Sequence, residues 1–321
     1  MATYKEIKGT DVQVVSSDPA NPTLGQIWYN TTSQSLKGYV VQSAVWASGG
    51  NMNTDKNNAA GAGTQTAAAV FGGDDSGRIN QTEEYDGSTW TIGGNLATAR
   101  RRLGGAGTQT AALAFGGDDS VPAVTAVTEE YNGSAWTAGG NLATARDYPG
   151  DAGTQTAGLA FGGESPSGVT GSTEEYDGSA WTAGGTMSTV RSRVGGAGTQ
   201  TAALGFGGYP PTSALTATEE YDGSSWTAGG ALNTARYGLG GAGIQTAAVA
   251  FGGYNNDPSG ATEEYDGSTW TTSTNMISKR RYLAGVGVQT AALAAGGGPP
   301  TVNLVEEYTG AGLATVTISG S

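Results

Sequence analysis

Cysteine and histidine are both absent from the 321 residues. Their absence excludes disulfides, a thiolate nucleophile, the usual zinc or copper ligands and the commonest general base. Proline is scarce, at 10 residues, and the 56 glycines follow no G-X-Y period, so neither collagen nor a Pro-rich disordered chain fits. No apolar run approaches the roughly 20 residues of a membrane-spanning helix, so insertion into a bilayer is not expected. Met1 to Thr10 holds two lysines but no apolar stretch, and does not read as a secretory signal. Positive charge is also in short supply. Lys and Arg total 15 against 28 Asp and Glu, a net charge of −13. The basic clusters are Arg100–Arg102 and Lys279–Arg281. A phosphate-binding surface needs a basic stripe, so nucleic acid is not an expected partner.

What is present is a repeat, and it dominates the chain. Gly-x-Gln-Thr-Ala recurs six times, with glutamines at 65, 109, 155, 200, 245 and 289. Phe-Gly-Gly begins six residues after each, at Phe71, Phe115, Phe161, Phe206 and Phe251, and Ala295 takes the sixth place. Glu-Glu-Tyr follows, ending at Tyr85, Tyr131, Tyr176, Tyr221, Tyr265 and Tyr308. A tryptophan stands five residues beyond the first five tyrosines, at Trp90, Trp136, Trp181, Trp226 and Trp270, with Leu313 in the sixth copy.

These strings read as four strands per unit of about 45 residues, the size of a propeller blade. The Gly/Ala segment before each Gln is an inner strand, because small residues suit strands crowded around an axis. Thr-Ala-Ala-Leu-Ala-Phe is a buried second strand. The Tyr and Trp strands flank an Asp-Gly or Asn-Gly pair, which favours a two-residue type I′ hairpin and would set Glu83 opposite Trp90. Trp46 stands 19 residues before Gln65, the spacing that Trp90, Trp136, Trp181, Trp226 and Trp270 keep to the next repeat Gln. It is thus an outer strand with no inner strands before it, and the simplest closure lays it on the last unit, removing the sheet edge. The alternating tail Leu313 to Ile318 could compete for that place or add a fifth strand.

Over about residues 37–321 the chain resembles the kelch family, through the double Gly, the Tyr, the Trp and the Arg that opens each next repeat. The resemblance implies an all-β fold, a six-bladed kelch-type β-propeller with four antiparallel strands per blade and a ring closed by an N-terminal outer strand. It implies a repertoire of binding surfaces rather than one function. The copper radical oxidases on this type of fold need histidines and a Cys–Tyr cross-link, so that chemistry is excluded.

Each candidate residue has a plain structural role to set against a functional one. Paired carboxylates can run glycoside hydrolysis, but adjacent strand residues point to opposite faces, and an identical pair in every copy reads as frame. A basic residue lies nine before each Gln: Lys56, Arg100, Arg146, Arg191, Arg236 and Arg280. These are expected to pair with a repeat Glu or to stack on a Trp. The tryptophans, Trp46 included, are expected in the core, each worth roughly 4–6 kcal/mol of burial at most. No catalytic residue, metal or cofactor is expected. All length variation between complete copies falls between Phe-Gly-Gly and Glu-Glu-Tyr, in loops that would share one rim. Asp74, Asp75, Asp118, Asp119, Tyr209, Tyr254, Asn255 and Asn256 on those loops are the candidate binding residues, suited to polar or carbohydrate ligands.

Residues 1–36 lie outside the repeat and read as a separate attachment segment, with 37–321 as the propeller. Asp18-Pro-Ala-Asn-Pro, Gly25-Gln-Ile-Trp-Tyr-Asn30 and Leu36-Lys-Gly-Tyr39 resemble a segment near the start of phage tail-fibre and other virion proteins. Short strands are expected around a turn at 31–34. The resemblance implies a bacteriophage virion structural protein located in the particle. Its N-terminal segment would meet other virion proteins, and its loop face a host-surface glycan or protein. An intracellular kelch adaptor and a carboxylate-dependent glycan-degrading enzyme are the alternatives.

Overall fold

The computed structural model describes residues 12–119 and 124–318. Residues 1–11, 120–123 and 319–321, which include the start of the N-terminal segment and part of the second variable loop, lie outside the described residues. Every regular element among the described residues is a strand, so no helix is long and apolar enough to cross a membrane. The chain divides into two compact units: residues up to Ala44 together with those from Gly310, and Val45–Thr309.

In the first unit, Gln13–Val15 runs parallel to Ile27–Asn30, which pairs antiparallel with Ser35–Gln42. Ser35–Gln42 pairs in turn with Gly312–Thr317. This ladder groups residues 37–44 and the C-terminal tail with the first unit, which runs to Ala44. It also means that the Leu313 segment neither closes nor extends a repeat sheet. The motif of this unit is tied together by Asp18. Its carboxylate accepts from the Trp28 indole at 2.9 Å and the Asn30 amide at 2.7 Å, and Lys37 lies 3.5 Å away. Those donors, Asn30 first, hold the Asp18 pKa below its ordinary value.

The second unit repeats one four-stranded antiparallel sheet six times, an arrangement consistent with a propeller. Sheet 1 runs Ala60–Thr64, Ala67–Phe71, Thr82–Tyr85, Trp90–Ile92 from inner to outer strand. Sheets 2 to 6 have inner strands beginning at Gly104, Gly150, Gly195, Gly240 and Ala284. In sheet 6 the outer strand is Val45–Ser48, with Trp46 opposite Tyr308. Two variable loops carry small hairpins, Glu164–Ser165 with Gly168–Val169 and Tyr254–Asn255 with Asp257–Pro258.

The Tyr–Trp hairpin differs from expectation. Tyr85 pairs with Trp90, and Glu83 sits opposite Ile92, not Trp90. The connection has four residues, and Gly87 adopts φ 92° while Asp86 is not left-handed. The reason is the Asp86 carboxylate, which accepts from the backbone N–H of Ser88 and Thr89 and from both hydroxyls. This Asx-type turn replaces the type I′ geometry. Led by the Thr89 N–H, these donors hold Asp86 well below the usual carboxylate range.

Three recurring side chains link each sheet to the one before it. The Gln in the two-residue turn after the inner strand reaches back to two carbonyls: Gln109 donates to Ala68 at 3.2 Å and Tyr85 at 2.6 Å. Gln65 does the same to Ala292 and Tyr308 of sheet 6. The Tyr hydroxyl donates to the second Glu of the preceding sheet, Tyr131 to Glu84 at 2.5 Å and Tyr265 to Glu220 at 2.6 Å, and Tyr85 of sheet 1 donates to Glu307 of sheet 6 at 2.5 Å. The Trp indole donates to the Thr that opens the third strand of the preceding sheet, Trp136 to Thr82 at 2.9 Å and Trp46 to Thr262 at 3.0 Å. Where that Thr is replaced by Val305, Trp90 turns to the Gly50 carbonyl at 2.7 Å. Between sheets lie apolar clusters such as Phe71, Leu96, Leu103, Tyr131 and Trp136. The six tryptophans of the repeats, Trp46, Trp90, Trp136, Trp181, Trp226 and Trp270, are buried, 4–9% exposed.

Candidate functional site

The repeated charges are committed to the frame. Arg100 bonds Glu129 at 3.0 Å and also donates to the carbonyls of Gly116, Val127 and Ala114. Arg146 with Glu174, Arg191 with Glu219, Arg236 with Glu263 and Arg280 with Glu306 repeat the ion pair at 2.6–3.1 Å. All five arginines are buried. Burial pulls the Arg100 pKa down to about 10, opposed by Glu129, and the guanidinium stays charged at neutral pH. Lys56 is the odd member, 3.5 Å from Glu83, its ammonium otherwise without a hydrogen bond. The Glu of each pair also accepts from the linker ahead of its basic residue, as Glu174 does from the N–H of Ala143. Every repeat glutamate is therefore engaged, the first of each pair by the basic residue and the second by a tyrosine.

Beyond this frame, the two residues after each basic residue build a different structure. The first of them pairs with the first residue of a variable loop: Asn57 with Asp74, Arg101 with Asp118, Asp147 with Glu164, Ser192 with Tyr209, Tyr237 with Tyr254 and Arg281 with Gly298. The second is Asn58, Arg102, Tyr148, Arg193, Gly238 or Tyr282. All six are left-handed, with φ between 49° and 61°. Their backbones form a circuit. Arg102 N–H donates to Asn58 at 2.7 Å, Tyr148 to Arg102 at 2.8 Å, Arg193 to Tyr148 at 3.0 Å, Gly238 to Arg193 at 3.0 Å and Tyr282 to Gly238 at 2.7 Å. Asn58 N–H then donates to Tyr282 at 2.9 Å.

Inside this circuit is a cavity of about 100 Å³ lined by residues from all six repeats. Its wall includes the inner-strand glycines Gly61, Gly196, Gly241 and Gly285. Asp151 stands where the other five copies have glycine, and accepts from the Gly105 N–H at 2.9 Å. Burial pushes its pKa up to about 7, with that single N–H opposing. Tyr148 and Tyr282, from the third and sixth repeats, meet with ring centroids 5.5 Å apart. The Arg102 and Arg193 guanidiniums lie over Tyr148 at 4.8 and 4.5 Å.

The loops around this mouth fall into two chemical halves. On one side charges pair with one another. Asp118 meets Arg78, Arg101 at 3.1 Å and Arg102 at 3.4 Å, Arg101 also meets Asp74, and Arg102 lies 3.2 Å from Asp147. On the other side tyrosines gather. Tyr237 contacts Tyr209 at 4.8 Å and Tyr254 at 5.5 Å between centroids, and Arg281 lies over Tyr254 at 4.1 Å.

The eight candidate loop residues are thus distributed unequally. Asp74 and Asp118 are held by arginines, with Asp118 buried, so the two act as internal partners rather than free acceptors. Asp75 is exposed and Asp119 half-buried. Tyr209 and Tyr254 belong to the aromatic half, and Asn255 and Asn256 extend from it, exposed. Sequence reasoning missed this left-handed column and Asp151. The signal was available: seven before each Gln, inside the otherwise regular frame, the copies carry Asn, Arg, Tyr, Arg, Gly and Tyr, and four before it one Asp interrupts five glycines. Among the described residues no group of three His, Cys, Asp or Glu could hold a metal. No protein-family model matches the chain, and no curated protein matches it.

Proposed function

We propose that the six sheets form a closed, six-bladed kelch-type propeller, and that the chain is a bacteriophage virion structural protein whose variable-loop face recognises a partner. Closure is supported by interactions that run in one direction through every neighbour and return to the start: the axial backbone circuit, the Gln-to-carbonyl bonds and the Tyr-to-Glu bonds. The Val45–Ser48 strand covers what would otherwise be the open edge of sheet 6.

One observation carries the recognition reading: a near-symmetric frame holds an asymmetric rim. Buried columns are chemically uniform, while the rim is divided between paired charges and half-buried tyrosines flanked by Asn255 and Asn256. Tyrosine with amides is a surface suited to a host-surface glycan or protein. The virion reading rests on the N-terminal motif, in which Asp18, Trp28 and Asn30 form one hydrogen-bonded group within a unit of its own. That unit serves as the attachment to other virion proteins. Deleting residues 1–36 tests the assignment. Incorporation into particles should be lost while the unfolding midpoint of the remaining repeats is retained. Normal incorporation of the deleted chain would refute it.

A further inference from the structure

We propose that the axial cavity binds a small zwitterion, its ammonium group on the Asp151 carboxylate and its carboxylate on the Arg193 guanidinium. The site is separate from loop-face recognition and stands whether or not that reading holds.

The two poles of the cavity are not partners of each other. Asp151 has one hydrogen bond, from the Gly105 backbone, and no arginine contributes to its electrostatics. A carboxylate placed among inner-strand glycines is costly without a counter-charge. The same position is glycine in the other five repeats, so the frame does not require the acid. At the mouth, Arg193 lies 3.7 Å from Glu164, donates to the Ser192 hydroxyl at 3.0 Å and rests on the Tyr148 ring. Burial opposes its charge, yet Tyr148, Tyr282 and Glu164 hold its pKa above the ordinary value, so a cation persists there. The cavity therefore offers an anionic pole, a cationic pole and an aromatic wall. At about 100 Å³ it lies well under the roughly 300–1,000 Å³ of sites for drug-sized ligands. A short molecule with an ammonium at one end and a carboxylate at the other matches both poles and the size.

The test is calorimetric titration of the full chain at neutral pH. The probes are glycine, β-alanine and γ-aminobutyrate, with ethylamine and propionate as single-charge controls. At least one of the three zwitterions should bind, and each control should bind at least about tenfold more weakly, a loss of one charge contact. The substitution D151G restores the residue of the other repeats and should remove at least about tenfold of the affinity, as should R193S. D151N, which keeps the side-chain shape, gives the same reading if D151G does not fold. Absence of binding by all three zwitterions, equal binding of ethylamine or propionate, or unchanged affinity in the folded Asp151 variants would overturn the proposal.

Discussion

Two columns of the repeat lie two residues apart in the chain and behave in opposite ways. The first is Lys56 and five arginines, all buried and all set against a repeat glutamate. The second is Asn58, Arg102, Tyr148, Arg193, Gly238 and Tyr282, alike in backbone and unlike in side chain. The first column is enclosed by carbonyls of its own sheet and loop, so its chemistry is dictated from all sides. The second hands its N–H and C=O to its neighbours in the circuit and leaves the side chain facing the mouth. The contrast separates what the frame demands from what the opening permits, and it can be broken by substitution.

The largest effect is expected at the enclosed column. Arg146→Ala strands the buried Glu174 carboxylate and several carbonyls, and should lower stability by about 3–5 kcal/mol in denaturant titration. Arg193→Ser, at the mouth, should cost no more than about 1 kcal/mol, the worth of an exposed pair and a cation–π contact. Equal losses would erase the distinction between the columns.

An intermediate effect should appear at high pH. Burial first, then the partner glutamates, raise the pKa of Tyr85, Tyr131, Tyr176, Tyr221 and Tyr265 to about 12. Their folded-state pKa exceeds the ordinary value of 10.0, so the folded chain holds protons that the unfolded chain releases. That contribution is complete below pH 10 and is lost as pH rises toward 12. A fluorescence-monitored pH titration should therefore show unfolding in this window, and E84Q, which removes the charged acceptor of Tyr131, should weaken the dependence. Flat stability from pH 9 to 12 would contradict the linkage.

The smallest effect sharpens the same comparison. Lys56 has one partner where the arginines have three or more. Lys56→Arg should extend the fork to the Glu83 carboxylate and nearby carbonyls, raising stability by about 1 kcal/mol. A loss of stability would show that sheet 1 is built around the shorter side chain.

Much of the frame was legible because repetition marks it. The spacing from Trp46 to Gln65 located the outer strand of sheet 6, and the basic column paired with Glu as its spacing suggested. The hairpin was misread because Asp86 uses its carboxylate on two backbone N–H groups, an option that the dipeptide Asp-Gly does not reveal. The tail was misplaced because alternation at Leu313–Ile318 announces a strand but not its partner, and Ser35–Gln42 offered a free edge. The mouth escaped notice because its residues sit inside the frame, where variation was not sought. Asp118 looked like a loop acceptor because Arg78, Arg101 and Arg102 come together on it only in three dimensions.

Amine-reactive cross-linking of purified particles tests the attachment-and-recognition account most directly. Lys37 belongs to the first unit, and exposed Lys279 lines a groove beside the loop residues Asn255 and Asp257. The account predicts that Lys37 cross-links to other virion proteins while Lys279 remains modified but unlinked. Links to particle proteins through Lys279, with Lys37 free, would contradict it.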